Sequence, residues 1–179
     1  MIEIEVEDKG VQEALKRVLA NSDNPSGILK SIGEALLAST KARFGSSVGP
    51  DGQRWKANSE VTILRYLAGR SGTFTKSGAI SAKGKGLAGS KKPLIGDSRA
   101  LSQTITYQLK GADTLLVGSP MIYASAQQFG MPRGFAGSNR RGSPIPWGDI
   151  PARPFLGISP DDRSNILAIL AEQMAPGSI

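Results

Sequence analysis

Ile105-Thr106-Tyr107-Gln108-Leu109-Lys110-Gly111-Ala112-Asp113-Thr114-Leu115-Leu116-Val117 is the stretch on which the fold class turns. Ile105, Tyr107 and Leu109 alternate with Thr106 and Gln108, the period of a strand with one buried face. Lys110 to Asp113 supplies a short turn, and Leu115 and Val117 carry the apolar face on to a second strand. A β-hairpin is predicted, so the chain holds sheet as well as helix.

The helices lie outward from this hairpin. Over Asp8 to Leu19, Val11, Ala14, Leu15, Val18 and Leu19 recur every three or four residues. Ile28, Leu29, Ile32, Ala35, Leu36 and Thr40 do the same over Gly27 to Phe44, with Ser26 as the expected N-cap. Both stripes predict core-facing helices. Before them, Ile2, Ile4 and Val6 alternate with Glu3, Glu5 and Glu7 and predict a first strand. In Gly49-Pro50-Asp51-Gly52, Pro50 presets one turn position and Gly52 permits a positive φ, so a tight reversal precedes Trp55. Ser59 to Leu67 reads as a short helix carrying Val61, Leu64 and Leu67, and Ser98 to Leu101 as a helical turn.

Beyond the hairpin, Tyr123 to Phe129 reads as a short helix stopped by Gly130. Ile150 to Leu156 reads as an extended edge segment, since Pro151 and Pro154 offer no ladder donor. The last helix opens on Ser159 as cap, Pro160 at the first helical position and Asp161 and Asp162 beside unpaired N–H groups. Ile166, Leu167, Leu170 and Met174 form its stripe. The expected fold is α+β, a small mainly antiparallel sheet packed against two N-terminal helices and a C-terminal helix, with long glycine-rich loops.

A length of 179 residues with 39% apolar and 21% charged composition suits one domain spanning 1–179. Two glycine-rich loops interrupt it: a basic one, expected to be flexible, over 69–93, and one rich in Gly, Pro and Arg over 131–149. The chain contains no Cys and no His. That excludes a disulfide, a Cys/His zinc site, a Cys nucleophile and a Ser-His-Asp triad. Gly84-Lys85-Gly86-Leu87-Ala88-Gly89 spells a dinucleotide fingerprint, but no buried strand precedes it and no acid follows at the required distance. Asp51, Asp97, Asp113 and Asp149 each stand alone in turn-like surroundings. No catalytic, metal or cofactor residue is assigned, and no cofactor is expected. The acidic N-terminus is the opposite of a signal peptide, and no apolar run spans a bilayer, so no membrane partner is expected. The lack of Cys suits the cytoplasm.

The net charge of +7 has an address. Residues 65–100 hold Arg65, Arg70, Lys76, Lys83, Lys85, Lys91, Lys92 and Arg99 against Asp97 alone, and the remainder is neutral. Of these, Arg70, Lys76, Lys83, Lys85, Lys91 and Lys92 are the candidates to face a DNA backbone as point charges without base readout. A solvated loop explains the same residues. Arg133, Arg140 and Arg141 make a second, weaker basic loop. Two such loops also suit an assembly subunit whose segments order against neighbouring copies.

Four local motifs occur in a suggestive order. They are Phe44 with Gly49-Pro50-Asp51-Gly52-Gln53-Arg54-Trp55, then Leu94-Ile95-Gly96-Asp97-Ser98-Arg99-Ala100-Leu101, then Val117-Gly118-Ser119 with Tyr123-Ala124 and Gln128-Phe129-Gly130, and finally Ile150-Pro151-Ala152-Arg153-Pro154-Phe155-Leu156-Gly157. Together they resemble the virion morphogenesis (tail completion) family of tailed bacteriophages over about residues 1–175. The resemblance implies a non-enzymatic structural protein of the virion neck, joining head to tail as a ring, expected to be hexameric, around the DNA channel. It implies partners in a second copy, in neighbouring neck and tail proteins and in the passing DNA, with assembly in the host cytoplasm. A tail terminator capping the tube, or a monomeric nonspecific DNA-binding domain, are the alternatives.

The motif residues carry physical expectations of their own. Trp55 should bury its ring on the second helix and anchor the turn of Pro50, Asp51 and Gly52. Tyr123, Gln127, Gln128 and Arg153 are the candidate subunit contacts, although ordinary core packing is the favoured reading of Tyr123 and Phe129. Arg153, held between Pro151 and Pro154, should pair with a carboxylate of its own or an adjacent subunit. Phe155 and Leu156 should return to the core.

Overall fold

In the computed structural model, which describes residues 9–174 apart from 21, 23 and 112, the alternating stretch forms the hairpin. Strands β1 (Thr106–Lys110) and β2 (Thr114–Gly118) pair antiparallel, with Tyr107 opposite Val117 and Leu109 opposite Leu115. This register puts the apolar residues of the alternation on one face. The face lies on the long helix α2 (Pro25–Ser46), as the close approach of the Tyr107 ring to Gly33 shows. The predicted α+β class holds. The strand expected over Met1 to Glu7 lies outside the described residues.

One apolar cluster joins α2 to α1 (Lys9–Ala20) and α7 (Pro160–Met174). Val11, Val18, Ile28, Ile32, Ile166 and Leu170 are buried in it, and Leu115 of the hairpin packs against it. These are residues of the three helix stripes, so periodicity is realised as packing. The cap of α2 differs from expectation. Asn24 Oδ1 accepts the Gly27 N–H at 3.0 Å, and Pro25, with no N–H to leave unpaired, takes the first turn, so Ser26 falls inside the helix. At α7, Ser159 Oγ accepts the Asp162 N–H at 3.1 Å while Asp162 Oδ2 accepts the Ser159 N–H at 2.8 Å, a reciprocal cap.

A second cluster gathers Phe44, Trp55, Leu101, Ile105, Ala124, Phe155 and Leu156. The turn that presents Trp55 closes as expected: the Gly52 N–H meets Gly49 O at 3.1 Å, and the Trp55 N–H meets Ser47 O at 2.9 Å. The indole stands edge-on to Phe44, with ring centroids 5.4 Å apart and planes at 76°. A one-turn helix α5 (Ala100–Gln103) and α6 (Ala124–Phe129) flank the hairpin, and α6 stops at Gly130 with φ of 78°.

Two expectations are corrected. Helix α3 (Glu60–Ala68) buries Leu67 alone, while Val61 and Leu64 remain 64% and 38% exposed, so its stripe is not a core face. The segment 69–93, read as a glycine-rich loop that would not pack as a core element, contains a helix, α4 (Ala82–Ser90), which packs on α3. Its glycine-rich sequence has poor helix propensity, and tertiary support overrides that. Ser81 caps it, Gly84 lies against Thr73 O, and the buried Thr73 hydroxyl donates to Leu67 O and Arg70 O, both at 2.8 Å. Residues 131–149 contain no helix or strand and fold back on themselves as a narrow arm. The Gly134 N–H meets Pro146 O at 3.0 Å, the Ala136 N–H meets Ile145 O at 2.9 Å, and the Asn139 N–H meets Ser143 O at 2.9 Å. Among the described residues no helix is long and apolar enough to cross a membrane.

Candidate assembly surface

Residues 150–157 form a strap that lies over the second cluster without joining a sheet. A strap without a ladder must find other partners for its buried backbone groups. Here side chains from distant elements supply them. Gln128 Oε1 accepts the N–H groups of Phe155 and Leu156 at 2.9 and 3.0 Å, and its Nε2 donates to Leu156 O at 3.0 Å. Trp55 Nε1 donates to Pro154 O at 2.8 Å. Arg43 Nη1 donates to Phe155 O at 2.8 Å and to Gly157 O at 3.0 Å. Pro151 and Pro154 lack the N–H that would otherwise need a partner.

Arg43 also pairs through Nη2 with Asp162 Oδ2, so one guanidinium ties α2, the strap and the start of α7 together. Burial alone would raise the Asp162 pKa. Hydrogen bonds from Ser39 and Ser159 and the adjacent Arg43 charge outweigh it and hold the carboxyl below its ordinary range. Burial lowers the Arg43 pKa, and Asp162 opposes that shift. Arg43 carries little signal in the sequence, because a lone arginine on a helix reads as a solvated residue. Its place between Thr40 and Phe44, at the inner end of a stripe, is the local hint of burial.

Two candidate subunit contacts are turned inward. Gln128 is 5% exposed and Arg153 8% exposed. Arg153 finds no carboxylate among the described residues: Nε donates to Lys56 O at 2.8 Å and Nη2 to Ala57 O at 2.9 Å, the carbonyls that follow the Trp55 turn. Burial lowers its pKa. Tyr123 and Phe129, weighed as core residues, are 42% and 62% exposed, and Gln127 is half-buried. Phe155 is fully buried and Leu156 nearly so, as expected.

The six basic candidates divide into two sets. Arg70 stacks on the Tyr66 ring at 3.7 Å and pairs with Asp97, and Lys83 Nζ donates to Ser71 O at 2.8 Å. Lys91 Nζ donates to Ile95 O and lies over Tyr66, and Lys92 Nζ donates to Gly45 O. These four help to hold the segment 65–100 in place. Lys76 and Lys85 are exposed, and their side chains make no hydrogen bond or ion pair with the described residues.

Large apolar side chains stand at the surface in and around the arm. Phe135 is 73% exposed, Trp147 60% and Ile145 40%, with Ile122 at 96% beside α6. The Arg65 guanidinium on α3 lies 4.7 Å from the Trp147 ring centroid and steadies the base of the arm. Exposed aromatic and aliphatic groups of this size are characteristic of protein contact surfaces.

The model of the phage virion morphogenesis family matches residues 6–175. The chain belongs to that family. It is 29% identical over 173 residues to a protein named putative capsid assembly protein G, of Escherichia phage Mu, a match covering 96% of this chain and 93% of that one. It is 26% identical over 175 residues to the Mu-like prophage FluMu G protein 1 of Haemophilus influenzae, covering 97% and 95%. No solved structure gives a significant match.

Proposed function

We propose that this member of the virion morphogenesis family is a structural, non-enzymatic subunit of the tailed-phage neck, a tail completion protein that joins head to tail as a ring around the DNA channel. The observation that carries the reading is the exposed apolar surface of the arm on a chain that matches the family almost end to end. The buried side chains of Arg43, Asp162, Gln128 and Arg153 are committed to holding the fold. What remains for work is surface. In this reading the protein assembles in the host cytoplasm and ends in the virion, and Lys76 and Lys85 face passing DNA while the arms face other proteins.

Host cells infected with a phage lacking the chain supply the test. Filled heads and finished tails that fail to join support the reading. Unfilled or misshapen heads would place the protein in head assembly instead. A monomeric nonspecific DNA-binding domain is a second reading, favoured by the exposed lysines. Light scattering separates the two, since that domain stays monomeric at every concentration.

A further inference from the structure

We propose that a cationic cleft between the C-terminal end of α2, α3 and the loop 91–99 binds the phosphodiester backbone of nucleic acid, with Lys41, Lys91, Lys92 and Arg99 as its cations. The inference goes beyond the neck reading, in which Lys76 and Lys85 face DNA, and it needs one copy of the chain and no ring.

The cleft has a volume of about 700 Å³. Lys41 on α2 and Arg99 at the end of the loop line it, and their side chains make no hydrogen bond or ion pair with the described residues. Lys91 and Lys92 line it too. Each gives one ammonium proton to a backbone carbonyl, Ile95 O and Gly45 O respectively, and an ammonium has three to give. The one acid in the lining, Asp97, is already paired with Arg70. Four cations thus share a concavity whose own carboxylate is spent. The loop that brings them there is also strained. Leu94 and Arg99, with φ of 59° and 51°, are two of the three non-glycine residues with positive φ among the described residues. Strained backbone of this kind clusters at ligand sites. Arg99 belongs to the motif Leu94 to Leu101, and no contact of the described fold uses its guanidinium.

The chemistry of the lining selects the ligand. Its free charged groups can only donate, so a group that only accepts fits them, and the oxygens of a phosphodiester only accept. A polypeptide would bring N–H donors of its own to a cleft with no free carboxylate. Positive charge also continues beyond the cleft. Lys91 and Lys92 line a neighbouring cleft of about 850 Å³ as well, where Lys56 adds a further side chain with no partner among the described residues. The acid of that second cleft, Asp149, accepts the Arg133 N–H at 2.8 Å. A series of cations suits a chain of phosphates rather than one small anion. Lysines hold such a chain as point charges, without reading its bases.

The test follows the fluorescence anisotropy of a short labelled oligonucleotide, single-stranded in one arm and duplex in the other, titrated with the full chain over a range of salt. K41Q/R99Q should keep the natural melting temperature, since neither side chain is bonded. It should reduce the slope of log affinity against log salt by about 1.4 for a single strand or about 1.8 for a duplex. The arm that shows the fall identifies the form of nucleic acid held. K41R/R99K preserves both charges and should preserve the natural slope. Natural slopes in both arms for K41Q/R99Q, or an equal fall for K41R/R99K, overturn the proposal. So does labelled polyglutamate whose binding K41Q/R99Q weakens as much as that of DNA, which assigns the cleft to an acidic protein partner. None of these outcomes bears on the ring, which light scattering reports separately.

Discussion

Arg43 on α2 and Asp162 in the first turn of α7 form a buried ion pair, with 7% and 6% of their side chains exposed. The pair is more than two charges in contact. Asp162 also completes the reciprocal cap of α7 with Ser159, and Arg43 also holds the carbonyls of Phe155 and Gly157. Each charge is thus surrounded by further hydrogen bonds, which is the condition under which a buried pair offsets its own desolvation.

Removing one member strands the other. Asp162→Ala and Arg43→Met should each lower unfolding stability by about 3–5 kcal/mol in urea denaturation. The double variant Arg43→Met/Asp162→Ala should lose clearly less than the sum, since it buries no unpaired charge. Additive losses would show that the two residues act independently.

The same pair sets the response to acid. The folded Asp162 titrates below its ordinary value, so its contribution is fully present above the unfolded pKa of about 3.9 and is lost as pH falls through the folded pKa. Asp162→Asn should be less stable at neutral pH and should lose less on acidification below about pH 4 than the natural chain. With no His in the sequence, stability should be nearly flat between about pH 5 and 8. Thermal melts from neutral pH down to acid check both statements.

The glycines of α4 are not equivalent. A Cβ on Gly84 would lie 2.3 Å from Thr73 O and 2.7 Å from Ile80 Cγ2, whereas one on Gly86 or Gly89 meets nothing within 4 Å. Gly84→Ala must displace backbone, and should destabilise by about 1–3 kcal/mol despite the better helix propensity of alanine. Gly86→Ala should stabilise by about 0.5–1 kcal/mol. Urea denaturation of the two single variants, side by side, decides whether α4 is held by that approach.

The basic residues should likewise separate by role. Lys76→Gln/Lys85→Gln should leave stability unchanged. In duplex-DNA titrations it should reduce the slope of log affinity against log salt by about 1.8, roughly 0.9 for each phosphate that is no longer neutralised. Lys91→Gln and Lys92→Gln remove bonds to Ile95 O and Gly45 O, and should lower stability as well as affinity. An unchanged salt slope in the Lys76/Lys85 variant would assign those cations to a protein interface or to solvent.

Much of the scaffold was legible because its signals are local. The alternation of Ile105, Tyr107 and Leu109, the cap and proline at Ser159 and Pro160, and the turn before Trp55 each follow from the conformations those residues favour, and each appears where expected. What escaped was decided by distant neighbours. Helix α4 exists because Gly84 fits against Thr73, a fact no propensity contains. Arg43 and Gln128 look like surface residues in sequence, yet both are spent on a strap more than twenty residues away. Tyr123 and Phe129 stand exposed although their composition is that of a core, and nothing within α6 itself distinguishes the two fates.

The central claim is that the chain is a ring subunit of the neck, and the most direct measurement is a cryo-EM reconstruction of the head–tail junction of the intact phage. The account predicts a closed ring of copies of this chain around the DNA channel between head and tail. Density for the chain in the capsid shell or along the tail tube, or its absence from finished particles, would contradict it.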